Sequence, residues 1–195
     1  MNSQRLHEFD HQLTSEIRPK LNAYEFEAGD ERTFRRGVKH EGTQSTQLIE
    51  FQIGLKGWSV GRFTVNLAVF NPDCFSDIRS ESETQPNSWD CSSDLVQRLG
   101  FFRPPHRSVF DRLWRRKAQP KDYWWHQHDV PAAMRSELAD VMDILSTQGF
   151  AWLDTYTSLD AFRWAARQLE RRKHWKANLG APNSLHLFET EPFLT

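Results

Sequence analysis

The segment QLIEFQIGLKGWSVGRFTVNLAVFN, Gln47–Asn71, decides the fold. In its first arm Ile49, Phe51, Ile53 and Leu55 alternate with Glu50, Gln52, Gly54 and Lys56. In its second arm Phe63, Val65, Leu67 and Val69 alternate with Arg62, Thr64, Asn66 and Ala68. A period of two on both arms is the pattern of strands with one face on a core. Between them Gly57-Trp58-Ser59-Val60-Gly61 has turn chemistry, so the segment reads as a β-hairpin with arms Gln47–Lys56 and Arg62–Asn71. A loop centred on Ser59 pairs Leu55 with Phe63 and Ile53 with Val65, and it sets Gln52 opposite Asn66 on the polar face. A one-residue slip would turn one apolar row to the wrong side.

Upstream, Leu6, Phe9, Leu13, Ile17 and Leu21 recur at spacings of three and four, the apolar stripe of an amphipathic helix. Ser3 is positioned to cap it, and Pro19 is expected to kink or end it. Thr33–Val38 reads as a short strand and Glu41-Gly42 as a turn. Downstream, the stretch 72–93 is acidic and Ser-rich and reads as a long loop. Leu95–Phe102 suggests a further strand, and Tyr123–His128 an extended segment. A helix follows, opened by Pro131, striped by Met134, Leu138, Val141, Met142 and Leu145, and capped by Gly149. Phe150–Leu153 reads as a short apolar strand or connector. Thr157 or Ser158 caps a last helix that faces Leu159, Phe162, Ala166 and Leu169 inward. The sum is one α+β domain with its core at about 3–175 and a tail at 177–195. Its sheet is mostly antiparallel, centred on the hairpin, with helices packed on one face.

The 195 residues suit a single elaborated domain, and eight Trp with fourteen Phe supply a core. No run of about 18 apolar residues is present, and the N-terminal residues lack the apolar stretch of a signal peptide. Two cysteines, Cys74 and Cys91, fit a reducing compartment. A cytosolic protein away from membranes is the expectation. The formal net charge of -1 conceals blocks: six acids and one base from Asp73 to Asp94, eight bases and one acid from Arg98 to Lys121. The segment Arg163–Lys176 is basic again.

Several features together resemble a bacterial family. They are the first helix, the Arg-Thr-Phe-Arg-Arg strand, the Phe51-Gln52 and Phe63–Leu67 strands, and Arg98-Leu99-Gly100. The Trp124-Trp125 pair and the Gly149-Phe150 to Leu153-Asp154 junction complete the set. The family is domain of unknown function 4304, and the resemblance spans roughly Leu6 to Leu169. It implies an α+β fold and brings no established reaction, so it assigns no catalytic residue.

Three constellations are candidates for function. Gln52 and Asn66, side by side with Arg35 on a neighbouring strand, offer amide donors and acceptors to a ligand or peptide backbone, or else satisfy one another. Trp114, Arg115 and Arg116, with the Trp124-Trp125 pair, are residue types that anchor protein interfaces. The basic segments 98–121 and 163–176 could instead meet phosphates, although a pI near 6.7 is far from that of a typical nucleic-acid binder. His126 and His128 share one face of an extended strand, and with a third ligand they could hold a metal. No phosphate loop, nucleophile elbow or cysteine metal motif is present. The expectation is therefore a non-enzymatic module, without a cofactor, that binds another protein, with an immunity or defence role conceivable. Nucleic-acid association is the alternative, and a metal-dependent enzyme at His126 and His128 the second. The sequence does not fix the oligomeric state.

Overall fold

The computed structural model describes residues 3–29, 32–40, 42–72, 85–91, 93–103, 122–158, 160–165 and 167–168. The chain begins with a continuous helical rod: α1 (Ser3–Gln12), a π turn (Leu13–Ile17) and α2 (Arg18–Asn22). Phe9, Leu13, Ile17 and Leu21 are buried, as the stripe predicts. Pro19 does not end the rod. It lacks the N–H that would bond back four residues, and its ring crowds the carbonyl there. The π turn lies immediately before it, with the Arg18 N–H donating to the Leu13 carbonyl, and the helix resumes for one more turn.

A six-stranded antiparallel sheet follows, in the order β1 (Glu27–Ala28), β2 (Thr33–His40), β3 (Thr43–Ile53), β4 (Arg62–Phe70) and β5 (Val96–Arg98). The sixth strand, β6 (Trp125–His126), pairs with the Arg62 end of the same β4 edge that β5 occupies further along. After β6 the chain forms α3 (Pro131–Ile144), a second π turn (Leu145–Gly149) and α4 (Phe150–Tyr156). A further helical stretch, 160–165, starts from Ser158, whose hydroxyl accepts from the Ala161 N–H at 3.2 Å.

All these helices contribute to one core over one face of the sheet, where Phe34, Ile49, Phe51, Phe63, Val65, Leu67 and Val69 meet Phe9, Ile17, Met134, Leu138, Val141, Leu145, Leu153 and Phe162. The α+β architecture with helices on one face is as expected. The hairpin register differs from expectation by two residues. Ile53 faces Phe63, Phe51 faces Val65, and Glu50, not Gln52, lies opposite Asn66. A shift of two preserves which side each residue faces, so the core rows stand except at one end. Leu55, expected inside, is 70% exposed because β3 stops at Ile53 and the loop begins at Gly54. That loop is tight at its base, since a Cβ on Gly54 would lie 2.1 Å from the Ser59 carbonyl oxygen. Gly57 and Gly61 take positive φ of 58° and 74°, values that β-branched or bulky residues rarely adopt.

Other expectations need correction. Leu95–Phe102 is not one strand, because β5 is three residues flanked by 3-10 turns at Ser93–Leu95 and Leu99–Phe102. Gly149 is no helix cap and Phe150–Leu153 no strand; the backbone stays helical through both, with Gly149 at φ -63°. What Gly149 provides is proximity, since a Cβ there would sit 3.2 Å from Leu99 and 3.4 Å from Leu67, both under the helix. Thr157 closes α4 by donating to the Leu153 carbonyl, so Ser158 alone caps the next helix.

The helix end is fastened to the sheet by a polar clasp on the core side. Gln47 is fully buried. Its Oε1 accepts from Arg36 Nε at 2.9 Å and Nη2 at 2.6 Å, and its Nε2 donates to Thr157 Oγ1 at 2.7 Å and Asp154 Oδ1 at 3.1 Å. Arg36 also pairs with Asp154 at 2.8 Å and lies over the Phe26 ring. Every polar atom of the Gln47 amide is satisfied, as a buried amide requires.

The register makes a stability prediction. Phe63→Ala, which empties a fully buried site, should cost about 3–5 kcal/mol, whereas Leu55→Ala should stay within about 0.5 kcal/mol. Urea unfolding of the two variants checks this. A large loss for Leu55→Ala would favour the register with Leu55 opposite Phe63.

Candidate functional site

The face of the sheet opposite the helices carries Arg35, Glu50, Gln52, Asn66 and Arg98, together with a small apolar cluster of Leu48, Ala68 and Phe70. Asn66 Nδ2 donates to Gln52 Oε1 and Glu50 Oε2, each at 3.2 Å. The two amides therefore meet, on a diagonal and not directly across. They do not form an open binding face. Pro86–Cys91 lies over this region: Arg35 Nε donates to the Pro86 carbonyl at 2.7 Å, Ser88 Oγ donates to Glu50, and Cys91 packs with Leu48, Ala68 and Phe70. A capping box fixes the segment, with the Trp89 N–H on Asn87 Oδ1 and the Asn87 N–H on Asp90 Oδ2. Part of the acidic stretch 72–93 is thus a packed cover. Asn66 is 6% exposed beneath it and Thr64 fully buried. Arg35 bonds the cover directly, and Gln52 and Asn66 join it through Glu50.

The other half of this face, beside the hairpin loop, is different. Arg62 lies over the Trp58 ring at 5.5 Å, Trp58 meets Trp124 edge to face at 5.3 Å, and Arg98 lies over Trp124 at 5.2 Å. Asp122 anchors the far end by accepting from Trp124 Nε1 at 2.9 Å and from Arg98. The result is a row of guanidinium, indole, indole and guanidinium across the loop end of β4, built by cation–π and ring contacts. Trp58 is 66% exposed, and Leu55 and Val60 beside it in the loop are exposed as well.

Trp125, expected at a binding surface with Trp124, is not there. Strand alternation turns it to the opposite side, where it is fully buried on Phe63 and donates from Nε1 to Asp140 Oδ2 at 2.6 Å. Trp114, Arg115 and Arg116, most of the segment 98–121 and most of 163–176 lie outside the described residues, as does the tail at 177–195.

A cleft of about 360 Å³ opens where the start of α1, the hairpin loop and the β6–α3 connection meet, lined by Arg5, Trp58, Val60, Gly61, Arg62, His126, Gln127, His128 and Asp129. His126 and His128 do share this region, their rings 6.2 Å apart, and His128 Nε2 contacts Glu137 Oε1 at 3.2 Å. Among the described residues no group of three His, Cys, Asp or Glu side chains is placed to hold a metal ion. Gln127 is 3% exposed, and neither its amide oxygen nor its amide nitrogen has a partner among the described residues; its N–H on the backbone bonds Gly61. Buried amides are rarely left so. Sequence reading singled out neither Arg5, Trp58, Arg62 nor Gln127. The available signal was an indole held between two glycines in the hairpin loop.

No protein-family profile, curated protein or solved structure matches the chain at a significant level. Its candidate site is defined by geometry alone, as the loop end of β4 with its Arg/Trp row and adjoining cleft.

Cys91 is suited to structure and not to nucleophilic chemistry. Burial pushes its thiol pKa far up, and the Asp90 and Glu50 carboxylates add to the effect. At pH 8 it should resist alkylation in the folded protein and react once the chain is unfolded, which mass spectrometry of the modified peptide would show. The linkage has a definite sign. Above about pH 8.5 the unfolded thiol ionises while the folded one stays protonated, so this residue's contribution to stability falls as pH rises.

Proposed function

We propose that the protein is a non-catalytic binding module that holds another protein on the loop end of its hairpin. The observation that carries this reading is the row of Arg62, Trp58, Trp124 and Arg98, in which Trp58 is exposed and the other three are half-buried, bordered by exposed Leu55 and Val60. Large aromatic and arginine side chains held in fixed contact lose little conformational freedom on binding, and they are the residue types that dominate interface energetics. Arg62 has no carboxylate partner among the described residues, so a partner bearing carboxylates complements it. Kinship with the domain of unknown function 4304 family and a role in immunity or defence belong to the same proposal and rest on sequence resemblance and context. A cytosolic location is proposed with them; no helix among the described residues is long and apolar enough to cross a membrane.

Immobilised protein in a native lysate should retain a partner, and Trp58→Ala or Trp124→Ala should each weaken that partner's binding by at least about 2 kcal/mol. Trp89→Ala, an exposed indole on the cover segment, should leave it unchanged. Retention of single-stranded nucleic acid instead, with affinity that falls steeply with salt, would support bases stacking on the two indoles and overturn the protein reading.

A further inference from the structure

The cleft beside the Arg/Trp row presents a specific set of groups. Arg5 and Arg62 line it, and neither has an ion-pair partner among the described residues; Arg5 Nε is buried without a hydrogen bond. Gln127 brings an amide that is buried, lacks partners at both ends among the described residues, and can donate and accept. Trp58 provides an apolar wall, and Asp129 one carboxylate.

We propose that this cleft captures the C-terminal end of a peptide chain, its carboxylate taken by Arg5 and Arg62 and its last peptide group by the Gln127 amide. The proposal rests on the reading of this surface as a protein-docking site and names the part of the partner that enters it. Guanidinium pairs with carboxylate through two parallel hydrogen bonds, and that match favours Arg over Lys. A peptide group beside the carboxylate has one N–H and one C=O, the complement of the Gln127 amide. A phosphate ester in its fully deprotonated form has acceptors only, so it would leave the Gln127 oxygen unpaired. It would also bring more negative charge toward Asp129 than a carboxylate does. The volume is at the small end for ligand sites, which run from about 300 to 1,000 Å³. It suits a chain end and not a strand passing through. Trp58 belongs to both surfaces, so a bound chain end would continue onto the Arg/Trp row.

The test uses the full chain and two mixtures of N-acetylated tripeptides with randomised residues, one with free C-terminal carboxylates and one amidated. NMR follows the Gln127 side-chain amide and the Trp58 indole N–H. The free acids should shift both resonances saturably, and amidation should weaken binding at least tenfold. Arg62→Gln and Gln127→Leu should each do the same while leaving thermal unfolding close to that of the parent. Equal binding of acids and amides would overturn the proposal, as would amidated tripeptides with a central Glu binding as well as the free acids. Inorganic phosphate shifting the same resonances at lower concentration would overturn it too. Should the tripeptides fail while Trp58-dependent partner capture persists, the chain-end site is wrong and the docking surface stands.

Discussion

The structure depends on the closure of β4. Every residue from Phe63 to Phe70 is buried. One edge pairs along its length with β3, and the other is shared by β6 and β5. Helices cover one face and Pro86–Cys91 covers much of the other. A strand enclosed in this way satisfies its polar groups internally or bears about 1–3 kcal/mol for each unpaired buried donor; Thr64 Oγ1 finds no partner among the described residues, while the next amide along the strand does. Asn66 does so with Glu50 and Gln52. The amide pair thereby becomes an internal fastening, and accessible chemistry is displaced to the one end of β4 that emerges, at Arg62 and the loop before it.

Much of the fold was legible because hydrophobic period is a local signal. The stripe from Phe9 to Leu21, the alternation on both hairpin arms short of Leu55, and the stripe from Met134 to Leu145 face the core as read. What failed depended on non-local contacts. A two-residue change of register alters no side's polarity, so the apolar pattern could not distinguish the loop centred on Ser59 from the observed one. Gly149 has the composition of a helix end, yet it continues the helix, at a place where a Cβ would crowd Leu145 and Leu99. Gln47 sits on an apolar row and is invisible to period. Only the approach of Arg36, Asp154 and Thr157 explains it.

The candidate site divides the same way. Trp124 and His126 were readable as surface residues, and one step of strand alternation sent Trp125 inside. Arg5, Trp58, Arg62 and Gln127 come from three separate parts of the chain. No spacing rule links them, and they meet only because β6 returns to pair beside the hairpin loop with α1 passing nearby. Of the two readings given for Gln52 and Asn66, an open amide face or a pair that satisfies itself, the structure has the second, with Pro86–Cys91 of the acidic stretch packed over the face and bonded by Arg35. Composition marked that stretch as a loop and gave no sign of where it would lie.

The central claim is that β4 is closed on both faces and that its loop end is open. Native-state hydrogen exchange measures this residue by residue. The account predicts that the amides of Leu67, Ala68 and Val69 exchange only with the free energy of global unfolding, while those of Gly57 and Trp58 exchange at rates near those of an unprotected chain. Exchange of Leu67–Val69 through a local opening well below the global value would contradict it, because the cover would then leave the sheet face accessible and return Gln52 and Asn66 to consideration as a binding surface.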